Sequence, residues 1–470
     1  MAIKLGREQL KAWFGPENGK YSKQARFGFA RKLRDLAPWW LAPDELTFLD
    51  SVARELGAPS FAGRPCLPDE PGCCWVLALV EQNQNLLRLR SAVVLPLRWR
   101  NDRHQHDARL PANLTQLANQ VALQLEKFLQ RGLQAGLTTW TLHFAVEKVP
   151  DLSRVPIEEQ SAWGSLAGGL ILAVEGIRPR QDVWATVAGD ALDIRAVELG
   201  PEGEKLQTAR EFGATTVFVP YQVYEQARKL QGSHLDLAGI KVQRLSGSTS
   251  GHSSVETLLR PYLSALRREP SGSDDFEARK RYYLYLEDRR KARLWFYERL
   301  LRDVVTKVQT TVASVGYPKI TDLAILASVG MEIIPVLCGV FRPQRLWVRY
   351  DPGFLETLVG KDGKEKDLLD EVESALDKLA IGAPPDVKPI PLPHSTYSDL
   401  SGAFRQFFQE KAVDSEHSWM IDVTLGTSLM SVCLYEAAFD GVWVAYVRNE
   451  TEPVTDRRFV KTIECWQKRG

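Results

Sequence analysis

The stretch Met420–Asn449, MIDVTLGTSLMSVCLYEAAFDGVWVAYVRN, reads as strand, polar turn, helix, turn, strand. Met420–Val423 is a short apolar run of the kind that forms a buried strand. Thr424–Ser428, TLGTS, is a hydroxyl-rich turn that contains Gly426. A helix over Leu429–Phe439, then Gly441, then a second buried strand over Val442–Val447 complete the unit. In a parallel α/β sheet such a turn lies at the carboxyl end of a strand. Ligands bind there because backbone N–H groups and a helix N-terminus converge on one crevice.

Outward from this unit, the block from about Lys319 to Gly470 repeats the alternation. Leu323–Ala327 reads as a buried strand and Ser328–Glu332, SVGME, as the turn after it. Ile333–Phe341 reads as a helix with Pro335 in its first turn, where proline is tolerated. Leu346–Tyr350 is a second strand, Asp367–Leu379 a helix, Asp386–Leu392 an extended segment and Tyr397–Glu410 another helix. Strands alternating with helices in this way predict a doubly wound sheet. The turns Ser328–Gly330 and Thr424–Ser428 then meet at one mouth, with hydroxyls and N–H groups suited to ribose and phosphate oxygens.

Both ends of this block resemble CARF domains, the Rossmann-like sensors of type III CRISPR systems. Those domains carry an Asp-x-Thr-Gly-Gly-Thr-Lys-like loop, matched here by Asp422, Thr424, Leu425, Gly426, Thr427, Ser428 and Met430. They also open on a strand, a Ser/Gly turn and a helix with an early proline. The resemblance implies ligand contacts from Ser328, Val329, Gly330, Met331, Thr424, Leu425, Gly426, Thr427, Ser428 and Met430. It implies a homodimer that holds a cyclic oligoadenylate across its two-fold axis, with no other cofactor and no metal. Leu425 replaces a loop glycine and Ser428 the usual lysine; Lys319, Arg342, Arg349 and Arg448 are the candidate replacement charges.

The middle block, about Cys74 to Arg244, has its own order. Trp75–Val80 and Ala92–Leu97 read as strands, Asn113–Leu129 as a helix and Thr139–Val146 as a strand. Ser165–Glu175 is a small-residue helix, Val183–Ala188 a strand, Asp190–Glu198 a hairpin arm, Gly203–Phe212 a helix and Thr216–Val219 a strand closed by Pro220. This block resembles the proteolytic domain of the Lon family. Leu199–Pro220, LGPEGEKLQTAREFGATTVFVP, matches a Gly-Gly-x-Lys-Glu-Lys-Leu helix followed by a strand ending in proline. Trp163–Gly169, WGSLAGG, matches the Gly-Pro-Ser-Ala-Gly nucleophile loop. The resemblance implies a Ser–Lys dyad, in which a desolvated lysine is the base for the serine hydroxyl. Position by position, Leu166 falls where the nucleophile belongs and Gly203 where the lysine belongs. A shift in loop length would pair Ser165 with Lys205, or Ser161 with Lys205. Glu202 and Glu204 flank that lysine, and an exposed Lys205 among acids would be protonated. A scaffold that has lost its chemistry and serves as an interaction module is the alternative.

The remaining sequence sets bounds. With 470 residues the chain has room for several domains. A net charge of +1 points to no nucleic-acid partner. The six cysteines contain no C-x-x-C pair, which argues against a zinc site. The N-terminus lacks a signal-peptide core and no long uninterrupted apolar run is present, as expected for a soluble cytoplasmic protein without a membrane partner. His104 and His106 lie in a charged turn, NDRHQHD, whose bland reading is solvation.

The expected fold class is α/β multidomain. Its parts are a helical segment over 1–72, a Lon-like α+β domain over 73–244 and a linker with a short helix over 245–274. A long connecting helix over 275–318 and a CARF-like domain over 319–470 complete it. Three functions stay open. One is a cyclic-oligoadenylate sensor that signals by binding a partner protein. The second is a ligand-activated Ser–Lys peptidase that cuts a partner. The third is a nucleotide-sensing transcriptional regulator whose basic helical N-terminus meets nucleic acid.

Overall fold

The computed structural model describes residues 22, 24–26, 28, 31 and 43–55. It also describes 67–470, apart from 81–91, 103–104, 127–128, 130–139, 148, 150, 191, 201–202, 234–236, 238, 247–254, 272–274, 287, 314–315, 328–329, 355–364, 380–383, 394–395, 412–417, 426, 452–457 and 470. The chain divides into two compact α/β units, Met1–Arg268 and Glu269–Gly470. The division falls inside the stretch read as a linker. Among the described residues no helix is long and apolar enough to cross a membrane.

The N-terminal unit opens with helix α1 (Pro43–Glu55). Strands β1 (Cys73–Val80), β2 (Ala92–Arg100), β3 (Thr141–Phe144) and β4 (Ile157–Glu158) form an antiparallel sheet in the order β3-β2-β1-β4. Helix α2 (Ala112–Gln124) lies between β2 and β3 in sequence. A 3-10 turn, Gln160–Ala162, leads from β4 into helix α3 (Trp163–Val174). Short strands β5 (Val183–Ala185), β6 (Ala188–Gly189) and β7 (Ile194–Arg195) follow, with β6 and β7 as the expected hairpin. Helix α4 (Glu204–Glu211), strand β8 (Thr216–Pro220), helix α5 (Tyr221–Ser233) and strand β9 (Lys241–Leu245) come next. Strands β5, β8 and β9 form a parallel sheet. Helices α6 (Val255–Leu258) and α7 (Arg260–Leu266) close the unit.

Helix α3 decides how this unit packs. Every residue from Trp163 to Ala173 is buried. Its glycines are where neighbours come close. A Cβ on Gly168 would stand 2.7 Å from the Tyr262 ring, and one on Gly169 3.1 Å from Cys74. The carbonyl of Leu166 accepts a hydrogen bond from Trp99 Nε1 at 2.9 Å. The WGSLAGG stretch is therefore a buried helix against the sheet, and not the exposed loop that its match to a nucleophile turn suggests.

The C-terminal unit begins with α8 (Phe276–Tyr285), α9 (Arg289–Arg299) and α10 (Leu301–Val312). These replace the single long helix expected from the spacing of aromatic residues. Asp275 and Asp288 start α8 and α9 by accepting hydrogen bonds from Ala278 N and Lys291 N, at 2.6 and 2.8 Å. The buried Arg293 guanidinium pairs with Glu371 at 2.7 Å, which fastens α9 to the sheet-covering helix α12 described below. The stretch is part of the packed unit and not a connector, because a helix with apolar residues on several sides must bury them.

Strand β10 (Asp322–Leu326), helix α11 (Ile333–Phe341), strand β11 (Arg345–Tyr350), helix α12 (Glu365–Leu379) and strand β12 (Asp386–Pro391) then alternate. Helix α13 (Tyr397–Lys411), strand β13 (Trp419–Asp422), helix α14 (Ser428–Ala437) and strand β14 (Trp443–Thr451) continue the pattern. A last strand, β15 (Arg458–Gln467), was not anticipated; it pairs antiparallel with β14. The sheet order is β12-β11-β10-β13-β14-β15. The first five strands are parallel, and the order reverses direction between β10 and β13. This is the doubly wound arrangement that the sequence predicts.

A tight contact joins α10 to α11. A Cβ on Gly339 would meet Val305 Cγ2 at 2.7 Å and Cγ1 at 2.9 Å. Overpacking of this kind costs about 1–3 kcal/mol, against about 1 kcal/mol gained in helix propensity. Gly339→Ala is expected to lower the urea midpoint, and the double variant Gly339→Ala/Val305→Ala to recover part of the loss.

Candidate functional site

In the N-terminal unit, three side chains from separate elements meet. Glu158 ends β4, Ser161 sits in the 3-10 turn and Lys205 lies in the first turn of α4. Lys205 Nζ donates to Ser161 Oγ at 2.8 Å and to Glu158 Oε2 at 3.0 Å. Ser161 Oγ lies 2.8 Å from Glu158 Oε2 and 3.2 Å from the Leu77 carbonyl, the two acceptors for its proton. Glu158 Oε1 also accepts from Ser161 N at 3.1 Å. Ser161 and Lys205 have no exposure to water, while the Glu158 side chain is about one-third exposed, at 31%.

The local fold explains the placement. Gly203 precedes α4 with φ +77, a left-handed conformation, and a Cβ there would meet Leu230 at 2.9 Å. A lysine at that position would be strained, and it is Lys205 that the first turn of the helix carries inward. The expectation of an exposed Lys205 among acids is corrected: the side chain is buried, and Glu204 is turned to the Ala92 N–H. Burial pulls the Lys205 pKa below its ordinary value, opposed by Glu158 and then Glu198. Its position in the first helical turn acts in the same direction as burial.

Ser165 is not the partner. It faces the Ala185 carbonyl, to which its hydroxyl donates at 2.9 Å. Ser165 lies inside the WGSLAGG match to the nucleophile loop, and the glycines of that match serve helix packing. The separations of the two serines from Lys205 are similar, so spacing in the sequence does not distinguish them. A polar cleft of about 210 Å³ is lined by Asn113, Gln116, Gln120, Glu159, Gln160 and Arg195, among others; it takes in the neighbours of Ser161 in the chain but not Ser161 itself.

In the C-terminal unit, the turns after β10 and β13 are brought together at the point where the strand order reverses. A Cβ on Gly330 would lie 3.1 Å from Leu425 Cδ2. The two turns thus meet as expected, and Leu425 fills the space between them. Leu425 and Met331 are buried, so neither presents a side chain to a ligand. Thr424 Oγ1 accepts from Val447 N at 2.6 Å, which ties the turn to β14. Thr427 caps α14 through Met430 N at 3.2 Å. Ser428 is exposed at the start of α14, and Met430 is half-buried. Ser328, Val329 and Gly426 lie outside the described residues.

Of the replacement charges, Arg349 is buried on β11, while Arg448 pairs with Glu464 at 2.6 Å. Asp322 on β10 is engaged by Arg345 at 2.7 Å and by Trp347 Nε1 at 2.9 Å. His106 is structural: its Nδ1 accepts from Leu142 N at 2.8 Å and its Nε2 meets Asn119 Oδ1 at 2.9 Å. Among the described residues no group of three or more His, Cys, Asp or Glu is placed to hold a metal. Comparison with models of known protein families and with curated proteins finds no match to this chain.

Asp422 supports the second turn from below. Its carboxylate accepts from Thr424 N at 3.2 Å and Leu425 N at 3.3 Å. Burial pushes its pKa up to about 6, against those hydrogen bonds. A raised folded-state pKa stabilises most below the ordinary carboxylate value, and the contribution fades as pH rises through about 6. Between about pH 4 and pH 6 this term is expected to lower stability, by at most about 1.4 kcal/mol per pH unit. Urea midpoints measured across that range are expected to show a flatter slope in Asp422→Asn.

Proposed function

We propose that the chain is a ligand-controlled Ser–Lys hydrolase that cuts an amide bond in a partner protein. The observation that carries this reading is the 2.8 Å approach of Lys205 Nζ to Ser161 Oγ, both side chains being buried from water. Burial disfavours the ammonium form, and a neutral amine at that distance accepts the serine proton. Ser161 Oγ then forms a bond to the substrate carbonyl carbon. The proton passes to the leaving amine as the peptide bond breaks, and water hydrolyses the ester. The resemblance of Leu199–Pro220 to the Lon helix and strand supports Lys205 as the base; Ser161 rests on the geometry alone.

Glu158 explains a resting state. While its carboxylate holds both Lys205 and Ser161, the ammonium form is favoured and the serine proton is drawn away from Nζ. The partial exposure of Glu158 leaves it free of the packing that fixes the other two. The same ion pair favours a second reading, in which the cluster is structural and the unit signals by binding a partner.

The C-terminal unit is read as the sensor, with a cyclic oligoadenylate of type III CRISPR immunity as ligand. The reversal of strand order between β10 and β13 supports it, as does exposed Ser428 at the head of α14. Leu429 and Val432 stand exposed three residues apart on α14, at 40% and 47%, a face suited to a second copy of the chain.

A fluorophosphonate probe, followed by mass mapping, tests the hydrolase. Label is expected on Ser161, increased by cyclic tetra- or hexa-adenylate and absent in Ser161→Ala and Lys205→Ala. Ser165→Ala is expected to retain labelling. Glu158→Gln is expected to label faster without ligand, about tenfold for each pH unit by which the lysine pKa falls. Label on Ser165, or none under any condition, removes the hydrolase and leaves the binding module. Calorimetry with the two oligoadenylates tests the sensor separately, and absence of heat with both removes it.

A further inference from the structure

Three arginines are buried among the described residues: Arg267, Arg293 and Arg349. Arg267 holds Glu175, and Arg293 holds Glu371 at 2.7 Å. Arg349, 3% exposed, pairs with no carboxylate among the described residues, and its Nε and Nη1 have no hydrogen-bond partner there. Its guanidinium instead stacks on two rings of α13, with Phe404 and Phe407 centroids each 4.6 Å away. Stacking engages the faces of the guanidinium plane and leaves the Nε and Nη1 donors at its edge unanswered. A buried ion in that condition is unfavourable unless something supplies the missing charge. Burial alone depresses its pKa to about 10, with no acidic neighbour to oppose it.

Position narrows the identity of that charge. Arg349 is the penultimate residue of β11, one residue from the strand's carboxyl end. It is in register with Leu326, the last residue of β10, and its carbonyl accepts from Ala327 N at 2.7 Å. It therefore stands beside the first turn of the switch point, at the edge of the sheet where doubly wound folds take phosphorylated ligands. On the same face of β11, Arg345 is already neutralised by Asp322. Arg349 is the buried cation of this edge that is not.

We propose that Arg349 is the anchor of an oxyanion site in the C-terminal unit, one that takes a phosphate group, free or on a nucleotide. The incoming oxygens replace stacking with charge-assisted hydrogen bonds to Nε and Nη1. Phe404 and Phe407 form the cover, and anion entry shifts α13 against β11. Trp347, two residues back on β11 and 5.5 Å from Phe407, reports the shift. The inference supplies a phosphate contact for the sensor reading but stands on Arg349 and the sheet order.

The test uses the full chain, with thermal unfolding, calorimetry and tryptophan emission. Inorganic phosphate, adenosine 5′-monophosphate and adenosine are compared with chloride at matched ionic strength. Phosphate or the monophosphate is expected to raise Tm by a few degrees and to change emission, and adenosine to do neither. Phosphate acting alone identifies the free ion as the source, and a tighter monophosphate identifies a nucleotide. Arg349→Met is expected to weaken binding at least tenfold, while Arg349→Lys keeps part of it. A wild-type chain indifferent to phosphate and to the monophosphate overturns the inference without recourse to a variant. Binding unchanged in Arg349→Met overturns it as well. Phosphate binding that depends on Arg349, with no oligoadenylate heat, upholds the site and removes the sensor reading. Oligoadenylate binding that survives Arg349→Met does the reverse.

Discussion

A lysine ammonium shut away from water has to be held, and the region around Ser161 is arranged around that need. Lys205 is brought inward by the left-handed Gly203 that precedes its helix, and it meets an oxygen from Ser161 and one from Glu158. Removal of Glu158 leaves the buried ammonium with the neutral Ser161 hydroxyl in place of a counter-charge, which the low-dielectric interior makes costly. The same burial that makes the lysine costly to hold as a cation makes it a stronger proton acceptor once Glu158 lets go. Structure and chemistry are coupled through one side chain.

The C-terminal unit has a different governing constraint, the direction of its sheet. Parallel strands wound outward both ways from β10 and β13 leave the turns after those strands side by side. The chain fills much of that mouth itself. Leu425 seals the gap beside Gly330, Thr424 is spent on β14, and Thr427 is spent on a helix cap. Among the described residues, Ser428 stands exposed at the surface and Arg349 lies beneath α13 with Nε and Nη1 unpartnered. Hydroxyls that looked available in a one-dimensional reading are tied up because buried backbone N–H groups must also be satisfied.

Much of the architecture was legible from periodicity. The strands at Trp75–Val80, Ala92–Leu97 and Leu346–Tyr350, and the helices at Ile333–Phe341 and Asp367–Leu379, fall where apolar spacing placed them. The doubly wound class followed from their alternation. The stretch 275–318 was expected to be one helix because its aromatic spacing continues past Asp288, whereas that side chain accepts from Lys291 N and starts a new helix. β15 escaped because its apolar residues Phe459, Val460 and Ile463 are interrupted by charges that face water from an edge strand. In the candidate site, Lys205 was named from sequence and its partner left open between Ser161 and Ser165. The WGSLAGG match drew attention to the wrong one.

The amino-acid pattern by itself determined which segments are apolar on one face or buried throughout, and so the order of strands and helices. Local sequence carries that information because side-chain periodicity is fixed by backbone geometry. It did not determine which hydroxyl Lys205 would meet, that Leu425 would close over Gly330, or that Arg349 would be buried without a carboxylate. Those outcomes depend on how residues far apart in the chain share the same few ångströms. Only the packed structure decides that, since a charge or hydroxyl takes its chemistry from whatever surrounds it.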